Sequence, residues 1–465
     1  MIKLLTRAET QYLHRHLDVV RHVTLDPDGP GVVRIHLVPA TPSARKDIPY
    51  LAILNGQDIL PLSVSWAILL ANLMDALQPF EGKEIDPDQW QTVKAQAVEA
   101  TCRIYPKEAA GQIEADLTAM LASFRAIAQG KEPPVPIQPM ELGSYARYMT
   151  APHRMDLMVS SMAKDGAWHC NQKCLHCYAA GQPLGAVPEL DTDQWLAVLQ
   201  KCRAAGIPQL TFTGGEPTLR HDLVNLVRSA QWFVTRLNTN GRLLTSALCR
   251  ELHEASLDSV QITLYSADEA THNTLVGAAG WQDTVSGIKN ALEAGLNVSI
   301  NTPLCSLNQD YTATLALANE LGVRYATCSG LIPTGGAQSG QSRATRLSPD
   351  ALTAVLRPAM EYAAAHHMEV NFTSPGWLPD ETLTGLGFSQ IPSCGACFSN
   401  MAIAPDGTVL PCQSWLGAGA GLGNILHDPW KRIWHNSECL RIRGRSAQME
   451  HICQLGDAPV WGEGC

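Results

Sequence analysis

The stretch GAWHCNQKCLHCYAAG, residues 166 to 181, carries three cysteines within eight positions: Cys170, Cys174 and Cys177. A disulfide needs two thiols. A tetrahedral zinc site needs four ligands, which leaves the fourth unassigned. Three thiolates around a metal group with one open position is a third possibility, and the rest of the chain has to decide among them. A second concentration lies in SCGACFSNMAIAPDGTVLPCQSW, residues 393 to 415, with Cys394, Cys397 and Cys412, followed by Cys439, Cys453 and Cys465. Between the two, TGGEP at 213 to 217 places Gly214 and Gly215 beside Glu216. Two residues without side chains let a ligand approach the backbone closely.

The composition narrows the setting. The chain has 465 residues, enough for two or three domains, with 45% apolar and 17% charged residues, a globular balance. The net charge is −10 with no Lys/Arg-rich run, which argues against nucleic acid as the main partner. The N-terminal MIKLLTRAETQYLHRHLDVV lacks a signal-peptide core, and no run reaches membrane-span length. A cytoplasmic location is expected. There, fourteen cysteines, several of them clustered, point to metal rather than disulfides.

The elements that must position these residues follow from the pattern. GKEPPVPIQP, 130 to 139, forbids helix and favours an extended linker. The expected domains are 1–130, a linker 131–150, 151–345 and 346–465. In the first, 31–38 reads as a strand and 49–62 as a hairpin turning at Asn55-Gly56. Helical stretches at 64–77, 86–105 and 110–128 follow. This is a small α+β module without a catalytic constellation. After the linker, strands at 156–162, 209–215, 235–241, 259–266, 297–304 and 325–333 alternate with helical stretches. About six βα units predict an α/β fold, a partial (β/α)6 TIM-type barrel. The three-cysteine loop directly follows the first strand, at the C-terminal mouth where barrel enzymes place their chemistry.

CNQKCLHCY and the later TGGEP together resemble the radical S-adenosylmethionine (radical SAM) superfamily over residues 155 to about 335. The resemblance implies a 4Fe–4S cluster on Cys170, Cys174 and Cys177, with S-adenosylmethionine on the fourth iron. It implies reductive cleavage to a 5′-deoxyadenosyl radical, which abstracts hydrogen from a substrate, and an electron donor such as flavodoxin or ferredoxin. Gly214, Gly215 and Glu216 match the positions that hold the methionyl amino group, and His176 the position beside the adenine. Asn238 and Thr263 match positions contacting ribose or carboxylate. Val276 stands where many relatives carry an arginine before the glycine of LVG, so the carboxylate contact is unassigned.

Cys397, Gly407 and Cys412 have the spacing C-x9-G-x4-C, which resembles the SPASM and twitch extensions that bind auxiliary iron–sulfur clusters. AIAPDGTVLPC reads as a hairpin turning at Asp406-Gly407 that brings Cys397 and Cys412 together. The full SPASM cysteine run is degenerate here. One auxiliary 4Fe–4S cluster is expected, on Cys394, Cys397, Cys412 and Cys465, with Cys453 the main rival for the fourth place and Cys439 a distant one. The N-terminal module resembles, by element order, the winged-helix-like PqqD-type recognition elements that hold a leader peptide by β-augmentation. The resemblance thus implies a peptide maturase forming a thioether, a carbon–carbon crosslink or an epimer on a precursor peptide. A radical enzyme acting on a small molecule or haem precursor, and a non-catalytic iron–sulfur carrier, stay open beside it. No general base or radical donor can be named. Cys102, Cys202 and Cys249 are expected as core residues, and Cys305 and Cys328 near strand ends chiefly so.

Overall fold

A computed structural model of the chain describes residues 6–16, 20–25, 33–39, 50–55, 58–80, 85–145, 149–388, 390–448 and 452–455. By internal contacts the chain divides into two compact units, 1–151 with 202–208, and 152–201 with 209–465.

The first unit contains a four-stranded antiparallel meander of β1 (Arg21–Leu25), β2 (Val33–Pro39), β3 (Tyr50–Leu54) and β4 (Asp58–Leu62). Helices Val64–Leu77, Pro87–Ile104 and Ala110–Ala128 follow, as their apolar periods predict. A helix at Arg7–His16 and strand β1 precede the expected elements; both are too polar or too short to stand out in the sequence. The Val64–Leu77 helix is buried continuously from Ala67 to Met74, which is why it reads as apolar all round. The next helix starts in a capping box: Gln89 N–H donates to Asp86 at 2.8 Å, and Asp86 N–H donates to Gln89 at 3.0 Å. Loss of such a cap costs about 1 kcal/mol. The Pro-rich segment stays extended, and Met140 N–H donates to the Ile59 carbonyl at 2.7 Å.

The second unit is an α/β domain built on a parallel sheet. It contains β5 (Arg154–Ser160), a two-residue ladder of β6 (Ala163–Lys164) and β7 (Ala167–Trp168), β8 (Gln209–Gly214) and β9 (Val234–Thr239). These lead to β10 (Ser259–Thr263), β11 (Asn297–Pro303), β12 (Tyr325–Ser329) and β13 (Glu369–Phe372). β14 (Asn400–Ile403) and β15 (Val409–Leu410) complete it. The sheet order is β13-β12-β11-β10-β9-β8-β5-β14-β15, so the expected six barrel strands are present. A seventh parallel strand, β13, lies beyond them. The second thiol cluster's hairpin joins the same sheet, because β14 pairs in parallel with β5.

Alternation explains how the sheet serves a site. Residues such as Phe212, Ile262, Ile300 and Phe372 are buried on one face, where the crossover helices pack. Polar residues line up on the other: Thr263 pairs with Asn301, Asn301 with Thr327, and Thr327 with Asn371. Within this row Thr327 donates to Asn301 at 2.8 Å. One layer below, Gln261 reaches Thr327 at 3.2 Å. A polar barrel lining accommodates a polar ligand.

Candidate functional site

The three-thiol loop is held by its backbone. Trp168 Nε1 donates to Gln172 O at 2.7 Å. Lys173 and Leu175 N–H donate to the carbonyls of Val276 and Leu275 at 3.0 and 2.8 Å. Gly277 ends the helix Glu269–Val276 at φ +62°, and a Cβ there would lie 2.5 Å from Lys173 O, so only glycine fits. From the end of β9, Asn240 donates to Asn171 Oδ1 at 2.6 Å and Arg242 to Asn171 O at 2.8 Å. On the far side Gly336 N–H bonds Cys177 O at 2.8 Å, and Ser342 Oγ bonds Leu175 O at 2.9 Å. The expected position at the strand C-termini is therefore the observed one. Asn240, Arg242, Ser342 and Thr345 were not singled out from sequence. Asn240 lies within the run NTNG (238–241) that begins at Asn238 and Arg242 directly follows it, and this proximity was the available signal.

The electrostatics of the loop fit a metal cluster. Burial pushes the Cys170 thiol up to about 12. Burial, and then the charges of Cys177 and Cys170, hold Cys174 well above the ordinary thiol range. Burial raises Cys177 as well. Three thiolates form together here only when a cationic group compensates them.

Beside the loop, Gly214 lies at φ +136°, and a Cβ there would come within 2.2 Å of Ser160 O. Tyr178 OH donates to Gly214 O at 3.4 Å. Glu216 is buried and braces two strands. Its Oε1 accepts from Thr218 and Thr239 hydroxyls, each at 2.6 Å, and its Oε2 from Asn240 N–H at 2.8 Å. Burial raises its carboxyl, and these bonds oppose the rise. Oε2, with one donor, retains capacity for another. His176 Nε2 pairs with Thr345 Oγ1 at 2.8 Å. Burial lowers His176 to about 4, so the ring is neutral at pH 7. His176 Nδ1 and Asn238 Oδ1 are buried without a partner, the pattern of atoms that await a ligand. Thr263 lies in the polar row of the sheet.

In the second cluster, Ala402 pairs with Leu410 and Ile403 with Val409, with Gly407 at φ +86° in the turn. Cys397 N–H donates to Pro411 O at 2.9 Å, so the hairpin does bring Cys397 beside Cys412. Cys397 itself has φ +54°. A non-glycine residue there stores on the order of 1–3 kcal/mol, a strain typical of functional positions. Burial raises Cys412, with Cys453 and Cys394 adding to the shift as neighbouring charges. Cys439 adjoins Cys397. Cys465 lies outside the described residues. The thiol clusters share an apolar layer: Ala402, Leu410 and Leu416 belong to the same buried group as Met158 and Ala179, with Cys170, Cys177 and Tyr178 packed against it. Cys202 and Cys249 are buried helix residues. Cys328 is on the helix-covered face of β12, and Cys305 is fully buried beside Asn308, so neither opens to the barrel lining.

Residues 169–318 match the family model for the radical SAM superfamily, and residues 394–455 match that for SPASM, an iron–sulfur cluster-binding domain. The chain thus carries a radical SAM domain with a SPASM extension. These domains imply a 4Fe–4S cluster, S-adenosylmethionine and auxiliary iron–sulfur binding. Among curated proteins it is 28% identical over 321 residues to the AdoMet-dependent heme synthase of Methanosarcina barkeri, covering 64% of this chain and 88% of that one. Among solved structures it resembles Streptococcus suis SuiB bound to S-adenosylmethionine, with TM-score 0.57 and 16% identity over 89% of this chain and 95% of that one. SuiB bound to its precursor peptide SuiA gives TM-score 0.56 and 14% identity over 88% and 92%. At these identities the structural likeness establishes the fold. Among the described residues, no helix is long and apolar enough to cross a membrane.

Proposed function

We propose that this enzyme modifies a ribosomally made precursor peptide, installing a thioether, a carbon–carbon crosslink or an epimerised centre. The observation that carries this reading is the separate N-terminal unit, which offers a sheet edge. The likeness to SuiB, which binds a precursor peptide, supports it. Cys170, Cys174 and Cys177 hold the 4Fe–4S cluster. When bound, the cluster and S-adenosylmethionine supply radical hydrogen-atom abstraction. Gly214 and Gly215 offer backbone to the methionyl ammonium, and Glu216 Oε2 accepts from it. His176 would lie by the adenine as a neutral ring, and Asn238 and Thr263 would contact the ribose or carboxylate. Cys394, Cys397 and Cys412 hold the auxiliary cluster, with a fourth thiolate from Cys453, which adjoins Cys412, or from Cys465.

The strand pairing favours one edge for a leader. Ile59 O faces away from β3 and already accepts from Met140. Pro61, two residues on, faces the same way and lacks an N–H, so the outer edge of β4 is blunted. β1 is at the other edge, with no strand paired to its outer side among the described residues. A leader strand therefore adds to β1. In hydrogen exchange, a candidate precursor encoded near this chain is expected to protect amides of 21–25 at micromolar affinity, about −8 kcal/mol. Protection confined to 58–62, or none with any precursor, contradicts leader docking on this edge.

A second reading has its own support. The 28% identity to a heme synthase favours a radical enzyme acting on a haem precursor. Under it, the N-terminal unit would serve as a lid or dimer surface.

A further inference from the structure

The barrel lining holds a positive charge that no protein group engages. Strands β5, β8 and β9 bring Asp156, Thr211 and Arg236 side by side: Asp156 pairs with Thr211, and Thr211 with Arg236. The residues that follow them, Leu157, Phe212 and Leu237, are fully buried on the helix-covered face, so these three point into the barrel. Among the described residues, no hydrogen bond or ion pair engages the partly buried Arg236 guanidinium. Arg154, on the same face of β5, has its Nε 3.0 Å from Asp156 Oδ1. Asp156 Oδ2 and Thr211 Oγ1 are buried without a partner. Asn238 is the next residue of β9 on the lining face, about 7 Å beyond Arg236 toward the strand's C-terminal end. Its Oδ1 is unpartnered too. Buried polar atoms in a folded protein have partners as a rule, so a contiguous set without them marks a place for a ligand.

Charge and shape decide which ligand fits. Arg154 and Arg236 face the one carboxylate of Asp156, which leaves a surplus of one positive charge. Burial, and then the Arg154 charge, lower Arg236 to about 10, so it stays cationic at pH 7. A single negative charge balances the surplus. A phosphate dianion would instead meet Asp156 as a like charge. The planar guanidinium fork matches the two oxygens of a carboxylate. The Thr211 hydroxyl is free to donate a further bond to it, and Asp156 Oδ2, an acceptor only, is left for an N–H or O–H of the same ligand.

We propose that Arg236 binds a carboxylate of the substrate inside the barrel, in a subsite completed by Thr211 and Asp156 and lying one layer below Asn238. It rests on the placement of S-adenosylmethionine given above and names the group by which the substrate is held. That group is an acidic side chain or C-terminus of a peptide, or a propionate of a haem precursor.

The test measures binding to the full-length, reconstituted enzyme with S-adenosylmethionine present. Two probes are used, each in an acid and a neutral form. One is the core segment of a candidate precursor encoded near this chain, set against the same segment with Asn and Gln for its Asp and Glu and with an amidated C-terminus. The other is an iron porphyrin with free propionates, set against its propionate methyl esters. The parent is expected to bind the acid form of one probe at least about tenfold tighter than the neutral form. Arg236→Gln should erase that preference, and Arg236→Lys, which keeps the charge and loses the fork, should keep part of it. Iron content and S-adenosylmethionine affinity should stay near the parent's in both. A preference for the acid peptide supports the subsite and the peptide reading together. A preference confined to the porphyrin keeps the subsite and removes the peptide reading. A parent that binds neither probe, or binds both forms of each alike, overturns the subsite. So does Arg236→Gln protein that keeps the parent's preference, or that loses S-adenosylmethionine affinity instead. If Arg236→Gln fails to fold, Thr211→Val decides: it should weaken the acid form alone, and acid-form binding equal to the parent's overturns the subsite.

Discussion

Cys174→Ala is expected to abolish formation of 5′-deoxyadenosine, by at least about a thousandfold, equal to about 4 kcal/mol of barrier. Burial and the charges of Cys177 and Cys170 hold the Cys174 thiol well above its ordinary range, and it is set among Tyr265, Leu275, Val276 and Cys305. Replacing its sulfur by hydrogen changes little volume, and the loop remains pinned through Lys173, Leu175 and Asn171. The fold should therefore persist, and the loss should belong to the chemistry. Iron should fall from about eight to about four per chain, as one of two 4Fe–4S clusters is lost. Cys249→Ala, in a buried helix position away from both clusters, serves as the control and should keep both iron and turnover. Normal 5′-deoxyadenosine in Cys174→Ala would remove the three-thiol site from the reaction.

The second large effect is expected from Cys412→Ala. Cys412 follows β15, and the Cys397–Pro411 bond ties the two sides of the hairpin. Through β14 the hairpin is part of the barrel sheet, with Asn400 paired to Arg154 and Ile403 to Leu157. The auxiliary site thus has a fixed place relative to the radical loop. Iron should again fall to about four per chain. Product formation should be lost, while 5′-deoxyadenosine formed without substrate conversion should fall less than about tenfold, or ~1.4 kcal/mol. Full iron in Cys412→Ala would exclude it as a ligand. Full product with half the iron would make the auxiliary cluster dispensable.

Local signals in the sequence correspond to much of this architecture. The Val64–Leu77 and Ala110–Ala128 helices have the bounds that their apolar periods predict. The barrel strands were visible as short β-rich runs between helical stretches, and the Asp406-Gly407 turn as a hairpin. Pairings between distant segments were not visible. β13 is four residues, EVNF, with no strong alternation of its own, and it becomes a strand because β12 pairs with it. Nothing local in NMAI announces a parallel partner at 154–157. The site divides in the same way. The thiols and glycines were legible because their spacing is chemical. Thr345 against His176 and Arg443 against Cys397 join residues 169 and 46 positions apart, and only the fold brings them together.

The most direct measurement follows a hydrogen atom. The wild-type enzyme, reconstituted and reduced, is given S-adenosylmethionine and a candidate precursor peptide carrying deuterium in its core segment. The 5′-deoxyadenosine and the peptide are then weighed by mass spectrometry. The expected result is one deuterium gained by 5′-deoxyadenosine and a matching mass change in the peptide, both absent with Cys174→Ala. Transfer of deuterium from a labelled haem precursor, with none from any peptide, would contradict the peptide-maturase proposal and leave the haem-precursor reading in its place.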